Sequence, residues 1–145
     1  MRKFFLLIVI STIGLKSPAK NDSLIISSPS NKLKVEFINF INSYPQYRVI
    51  YNDIPITDFS KLGLKRADAD FSINLKIIAV KKNNINETYN LICGKKMICN
   101  HNAVEQTIVM VNSRNEKIEI IFRVSDDGIA FRYHFPYESN EDKII

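Results

Sequence analysis

Glycine is scarce in this chain of 145 residues, which has only Gly14, Gly63, Gly94 and Gly128. Phosphate-cradling loops need clustered glycines, and the catalytic serine of many hydrolases lies in a Gly-x-Ser-x-Gly turn. Here the glycines are scattered and that serine turn does not occur. The sequence therefore excludes a nucleotide-binding loop of this kind and a serine hydrolase of this kind.

Histidine and cysteine are also scarce, with His101, His134, Cys93 and Cys99 as the complete set. No His-x-x-x-His spacing occurs, and Cys-x5-Cys is not a usual interval between zinc ligands, so we predict no metal site. Cys93 and Cys99 are candidates for one disulfide, provided that their Cα atoms come within about 4.4–6.8 Å in an oxidising compartment. Two unpaired thiols are the alternative.

A dense basic stripe, which is typical of nucleic-acid binding, is missing as well. The formal net charge is +5, but the basic residues cluster only in pairs, Lys81-Lys82 and Lys95-Lys96. Without residues 1–19 the chain keeps 17 basic and 15 acidic residues, a net charge of +2. We therefore predict no nucleic-acid partner.

The longest hydrophobic run lies at the N-terminus. Arg2 and Lys3 precede an apolar stretch from Phe4 to Leu15, and Ser17-Pro18-Ala19 follows. This pattern predicts a signal peptide over residues 1–19 and an exported, periplasmic protein that has no membrane attachment after cleavage. The run is too short for a permanent transmembrane helix. An N-terminal anchor and a buried terminal strand are the alternatives.

The remaining residues, 20–145, suffice for one domain, and their hydrophobic periodicity favours strands. Leu33, Val35 and Phe37 alternate with polar residues after a turn-rich segment over residues 27–31. Further strands are predicted over residues 47–51 and 54–56, which flank an Asn52-Asp53 turn, and over residues 71–80 and 107–111. The polar run over residues 81–86 is predicted to end the strand over residues 71–80.

The strongest prediction is a β-hairpin near the C-terminus. Apolar residues alternate over 118–124 and again over 129–135, and the turn Ser125-Asp126-Asp127-Gly128 separates them, in which Gly128 can take a positive φ. Asp126 and Asp127 are an adjacent carboxylate pair, but their place at the hairpin tip favours turn formation over acid–base catalysis. His134 is expected at a partly exposed position on the sheet face opposite Phe131. No helix is predicted, so the fold class is an antiparallel β-sandwich.

The hairpin residues 122–133, with the sequence FRVSDDGIAFRY, closely resemble a signature of glycoside hydrolase family 97. Weaker matches follow the family's order at residues 28–33, 47–54, 62–64, 87–89, 93–94 and 100–101, so the resemblance covers about residues 24–145. Tyr89 stands where the family usually has Trp, and Asn102 stands where Tyr is common. Cys93 and Cys99 are not part of the pattern.

The resemblance implies a mutarotase-like super-sandwich that is incomplete at the C-terminus. In the family this sandwich packs against a catalytic (β/α)8 barrel. The resemblance also implies exported enzymes of Bacteroidetes-type bacteria. These enzymes hydrolyse α-glucosidic or α-galactosidic bonds with calcium in the active site. A barrel needs about 250 residues. Because this chain contains none, no catalytic residue is carried over, and we expect the chain to be inactive alone.

Asn100 and His101 are the candidate carbohydrate-contact residues, because both are polar and are predicted to lie in a loop that follows a turn. The resemblance implies that the partner is a carbohydrate, or a catalytic barrel on another segment. Three roles follow for the chain. It is the N-terminal part of a family 97 enzyme, a free-standing periplasmic sugar-binding module, or a partner chain that completes a split glycosidase.

Overall fold

The computed structural model describes residues 22–40, 42–92 and 97–137, which form eleven strands and no helix. The predicted signal peptide, residues 1–19, lies outside these residues. Within them, no helix is long and apolar enough to cross a membrane. The strands are β1 (Asp22–Ser27), β2 (Leu33–Asn39), β3 (Gln46–Tyr51), β4 (Ile54–Pro55), β5 (Ser60–Lys61), β6 (Leu64–Lys65), β7 (Asp70–Phe71), β8 (Lys76–Asn90), β9 (Ile98–Val111), β10 (Lys117–Ser125) and β11 (Ile129–His134).

Two antiparallel sheets make up the sandwich. The first has the order β1-β2-β3-β4, with β5 also paired to β3, and the second has the order β11-β10-β9-β8. A short pair, β6 and β7, lies beside them. The predicted fold class, an all-β antiparallel sandwich, is thereby confirmed.

The core lies between the two sheets and is filled by the alternating residues of their central strands. Val35 and Phe37 of β2 meet Ile108 of β9 and Ile120 and Phe122 of β10, and none of these side chains is exposed. The rings of Phe37 and Phe122 pack edge to face, with centroids 6.2 Å apart. Period-two alternation therefore does place one apolar face of each sheet in the core.

Two of the three predicted turns have the backbone conformation that their residue types favour. Asn52 and Asp53 join β3 to β4 with φ values of 48° and 64°, the pattern of the turn that best matches strand twist. Asn31, at φ 60°, belongs to the predicted turn between β1 and β2. Gly128 does not have a positive φ, so that part of the prediction is wrong. The Ser125 amide instead donates to the Gly128 carbonyl across the turn, over 2.9 Å.

The longest strands depart most from the sequence prediction. β8 does not end at the polar run over residues 81–86 but continues through it to Asn90, and β9 extends over fourteen residues instead of five. The two strands pair along almost their whole length. Pairing with β9 satisfies the backbone groups of β8 that point into the sheet, and the outward-pointing groups are at an exposed edge that water can reach, so a nearly continuous polar stretch is stable there.

The β8–β9 hairpin extends beyond the rest of its sheet. β10 pairs with β9 only from Ala103 to Val111, whereas residues 98–102 of β9 pair with residues 86–90 of β8. We call these two segments the hairpin arm. No other described strand pairs with the arm, and its residues are exposed except Cys99 and His101, which are half-buried.

Candidate carbohydrate-contact site

Asn100 and His101 lie in strand β9 and not in a loop, so the prediction of their local structure is wrong. The polar sequence around them suggested a loop, but the ladder with β8 holds them in extended conformation. Consecutive side chains of a strand point to opposite faces. The structure therefore does not bring these two side chains together, and one ligand on one face contacts only one of them.

Asn100 has its hydrogen-bond partner directly across the ladder. It pairs with Thr88, whose hydroxyl donates to Oδ1 of Asn100 over 3.1 Å, and both side chains are exposed. This bond holds the orientation of the amide and occupies one of its acceptor sites. The Asn100 side chain therefore lies on the face of the arm that has mainly short polar side chains.

His101 lies on the other face of the arm. It pairs with Glu87, and Cys99, two residues earlier on β9, pairs with Tyr89. We call Glu87, Tyr89, Cys99 and His101 the His101 face. Directly opposed side chains have Cβ atoms about 4.5–5.5 Å apart, so an imidazole, a carboxylate and a phenol ring are close neighbours here. Tyr89 is 49% exposed, which leaves much of its ring free for contact.

Asp127 adds a second carboxylate near this face. Its pKa is lowered chiefly because the Ser125 hydroxyl donates to Oδ1 over 2.6 Å, and the nearby imidazole of His101 lowers it further. Ser125, the last residue of β10 before the turn, pairs with Ala103, which is two residues after His101 on β9, so the β10–β11 turn lies near the base of the arm. Sequence reasoning assigned Asp127 to turn formation alone, because nothing in the pattern relates it to a residue on another strand.

Asp126, the neighbouring carboxylate, points to a different partner. Its Oδ1 accepts a hydrogen bond of 2.9 Å from the backbone amide of Ser30, in the turn between β1 and β2. Bonds from Ser30 hold the pKa of Asp126 below its usual value. The prediction of turn formation is confirmed for Asp127, whose carboxylate bonds to Ser125 of the same turn, whereas Asp126 joins this turn to the turn between β1 and β2.

The chemistry of the His101 face suits a sugar better than an apolar ligand. An exposed phenol ring offers an apolar surface for the C–H groups of a pyranose, and carboxylates accept hydrogen bonds from hydroxyl groups. The imidazole both donates and accepts when neutral. A flat ring beside three polar groups is therefore a surface on which a carbohydrate can be held and oriented.

Metal binding has no comparable support within residues 22–40, 42–92 and 97–137. These residues contain no group of three or more His, Cys, Asp and Glu side chains that could hold a metal ion. The described part of this chain therefore contains no set of ligands for the calcium that the resemblance implies for the full-length enzymes. Cys99 lies opposite Tyr89, and Cys93 lies outside the described residues, so the disulfide stays a prediction.

His134 occupies the position that its strand predicts. It is exposed on the outer face of β11, and its Nδ1 lies 2.8 Å from Oε2 of Glu119, its cross-strand partner. It lies on β11 and not on the hairpin arm, so it belongs to no part of the candidate site.

Most of the chain matches the model of a known protein family. The model of the family described as Glycosyl-hydrolase 97 N-terminal matches residues 26–145. A protein of Streptomyces bingchenggensis (strain BCW-1) named "Probable retaining alpha-galactosidase" is 28% identical over 82 residues, which are 57% of this chain and 13% of that protein.

Solved structures agree on the fold. The crystal structure of a β-arabinopyranosidase superposes with a TM-score of 0.76 at 30% identity, over 81% of this chain and 19% of that one. A glycoside hydrolase family 97 enzyme from Pseudoalteromonas sp. strain K8, solved with panose, gives a TM-score of 0.72 at 22% identity over 81% and 18%. The chain thus spans less than a fifth of the length of these relatives.

Proposed function

The chain belongs to the Glycosyl-hydrolase 97 N-terminal family, and from this premise we propose that it is the non-catalytic sandwich of an exported, periplasmic glycoside hydrolase. The enzyme acts on α-glucosidic or α-galactosidic bonds. The His101 face of this sandwich contacts the carbohydrate, and catalysis belongs to a barrel that is not among the residues of this chain.

The relatives support the substrate class without specifying the sugar. One is named for α-galactosides, and a solved structure at 30% identity is named for β-arabinopyranosides. Both names describe enzymes that cleave a bond to a sugar. A surface that orients carbohydrate by an aromatic ring and hydrogen bonds suits all such substrates, since it needs no group specific to one sugar.

One observation carries the carbohydrate contact. The hairpin arm extends past β10, and its His101 face presents Tyr89, Glu87 and His101 beside the Asp127 carboxylate. An exposed aromatic ring among polar groups, away from the core, contributes little to folding. We therefore assign carbohydrate binding to the His101 face, and no longer to Asn100 and His101 together.

The test is a nuclear magnetic resonance titration of the chain with maltose and with melibiose. We expect the amides of Tyr89 and His101 to shift in a concentration-dependent way, and Tyr89→Ala to abolish the shifts because it removes the stacking ring. Asn100→Ala is the matched control, since it alters the same strand on the opposite face. Shifts that survive Tyr89→Ala, or that disappear with Asn100→Ala, would contradict the assignment.

A further inference from the structure

The outer face of the second sheet, which points away from the core, has a depression at β10 and β11. Its volume is about 360 Å³, at the lower end of the range for small-molecule sites. The residues that line it are Glu105, Ile121, Arg123, Ala130, Phe131 and Arg132. Ile121 is buried and Ala130 has a short side chain, so the two leave an apolar hollow among longer charged side chains.

The register of the two strands places two guanidinium groups at this depression. Arg123 opposes Ala130, and Arg132 opposes Ile121, so the two arginines are diagonal neighbours on one face of the sheet. Diagonal neighbours lie about 7–8 Å apart, which long side chains can span. A guanidinium also matches the planar shape of a carboxylate, to which it donates two parallel hydrogen bonds. The two arginines are therefore placed to donate to one anion in the depression.

The acidic residues of this face leave Arg132 without a counter-charge. Oε2 of Glu105 accepts from Nε and Nη2 of Arg123, over 3.1 and 2.8 Å. Glu119 lies 2.8 Å from Nδ1 of His134. Arg132 is exposed, and its side chain makes no ion pair with any residue that the structure describes. The depression therefore has one positive charge that no described side chain balances.

We propose that this depression binds a hexuronate, a pyranose that has a carboxylate group. The carboxylate accepts from Arg132 and from Nη1 of Arg123, the guanidinium nitrogen that Glu105 does not bond. The C–H groups of the ring lie against Ile121 and Ala130. A ring hydroxyl donates to Oε1 of Glu105, which accepts no hydrogen bond from a described residue. A simple anion would use only the first of these three features, so their combination favours a sugar acid.

The depression lies on the same side of the second sheet as the His101 face. His101 and Glu105 are four residues apart in β9, and their pairing with β8 is regular, so their side chains point to one side about 14 Å apart. The hexuronate site therefore adds a place for an acidic sugar unit beside the proposed contact for neutral sugars. The two surfaces share no residue, so binding of the hexuronate does not depend on that contact.

Nuclear magnetic resonance titration of the chain with methyl α-glucuronide at neutral pH tests the site, and methyl α-glucoside is the uncharged control. We expect the side-chain Nε–Hε signals of Arg123 and Arg132 to shift with the glucuronide and not with the glucoside. No shift with the glucuronide, or equal shifts with both sugars, would overturn the proposal. Acetate is the second control. If acetate binds as tightly as the glucuronide, the ring contributes nothing, and an isolated carboxylate such as an acidic protein side chain is the occupant instead.

Arg132→Gln and Lys81→Gln are a matched pair of variants. Lys81 opposes Thr107, which in turn opposes Ile121, so both variants remove one exposed positive charge from the same face. Only Arg132 lines the depression. We expect Arg132→Gln to weaken binding of the glucuronide about tenfold, because it removes a charge-assisted hydrogen bond, and Lys81→Gln to leave binding unchanged. Equal losses would show that only the net charge of the face attracts the ligand, and would overturn the proposal.

Two further variants locate the ligand. Ala130→Leu places a larger side chain in the depression and should abolish the glucuronide shifts, with circular dichroism as the check that the fold is kept. Tyr89→Ala, which removes the ring from the His101 face, should leave glucuronide affinity unchanged, so failure of the neutral-sugar contact and failure of the hexuronate site are distinguishable. Glucuronide binding that survives Ala130→Leu, or that is lost with Tyr89→Ala, would overturn the assignment to the depression.

Discussion

The Tyr133 hydroxyl accepts a hydrogen bond of 2.9 Å from the backbone amide of Gly63. This bond joins β11, the edge strand of the second sheet, to the short segment between β5 and β6. Burial of the hydroxyl raises the pKa of Tyr133, and the bond from Gly63 opposes that rise. The phenol therefore stays neutral and acts as a structural acceptor.

Replacing Tyr133 by Phe should lower the free energy of unfolding by about 1 kcal/mol, because it removes one hydrogen bond and leaves the Gly63 amide without this acceptor. Urea unfolding followed by circular dichroism measures the change. Tyr137→Phe is the matched control, since Tyr137 is 60% exposed. Equal effects of the two substitutions would show that the bond to Gly63 contributes nothing.

Gly63→Ala should destabilise the fold by about 1–3 kcal/mol, the range for a residue held in a disfavoured backbone conformation. Gly63 has φ +118°, and an added Cβ would lie 2.7 Å from the Cα of Ser72 and 2.8 Å from the carbonyl oxygen of Phe71. Backbone atoms on that side do not move aside easily. Alanine therefore meets both torsional strain and a clash.

Gly128→Ala is the control for Gly63→Ala. Gly128 has no positive φ and no atom within 4 Å of an added Cβ, so the change should cost less than about 0.5 kcal/mol. Thermal unfolding of both variants measures the difference. A loss at position 128 as large as that at position 63 would contradict the geometric account.

Stability should fall as the pH is lowered from about 5 to about 2.5, because the native state holds the pKa values of several carboxyl groups below those of the unfolded chain. The groups are Asp70, Asp126 and Asp127, with a usual value of 3.8. A lowered pKa means stabilisation that is present above the unfolded value and is lost as the pH falls through the folded value. Urea midpoints at a series of pH values measure it.

Asp126→Asn should reduce this pH dependence, since the carboxylate that accepts from the Ser30 amide can no longer titrate. Asp58→Asn is the control, because Asp58 is exposed and has no hydrogen bond or ion pair among the described residues. If the two variants show the same acid profile as the original chain, the Asp126–Ser30 bond does not contribute to acid stability.

The chain alone should not hydrolyse p-nitrophenyl α-glucoside, α-galactoside or β-arabinopyranoside. Glycosidases of the common mechanism need two carboxyl groups placed on either side of the scissile bond. Of the adjacent pair, Asp127 instead bonds to Ser125 of its own turn, and Asp126 bonds to Ser30 in the turn between β1 and β2. Hydrolysis that persists through further purification and is lost with Asp127→Asn would overturn the non-catalytic proposal.

Local patterns predicted the strands whose alternation is strong. Leu33, Val35 and Phe37 in β2, and the hairpin of β10 and β11, were assigned correctly, since side chains alternate between the core and the solvent along a half-buried strand. The turn at Asn52 and Asp53 also follows from residue type, because these side chains tolerate a positive φ. Such features depend on neighbours in the chain.

The length of β8 could not be predicted in this way. Lys81 to Asn86 has few apolar residues and no alternation, so its own sequence favours a loop. Its extended conformation comes from pairing with β9, which satisfies the backbone groups that point into the sheet whatever the side chains are. The energy of pairing depends on both strands, so the sequence of one strand does not reveal it.

The sequence by itself determined the β-class, the central core faces and the family resemblance, because period-two alternation and turn residues act over a few positions. Only the tertiary structure decided that His101 and Asn100 face apart, and that His101 lies near Asp127. It also decided the bonds of Ser30 to Asp126 and of Gly63 to Tyr133, which join residues 96 and 70 positions apart. Alternation specifies the face on which a side chain lies, whereas the register and stacking of the sheets decide which distant residue it meets.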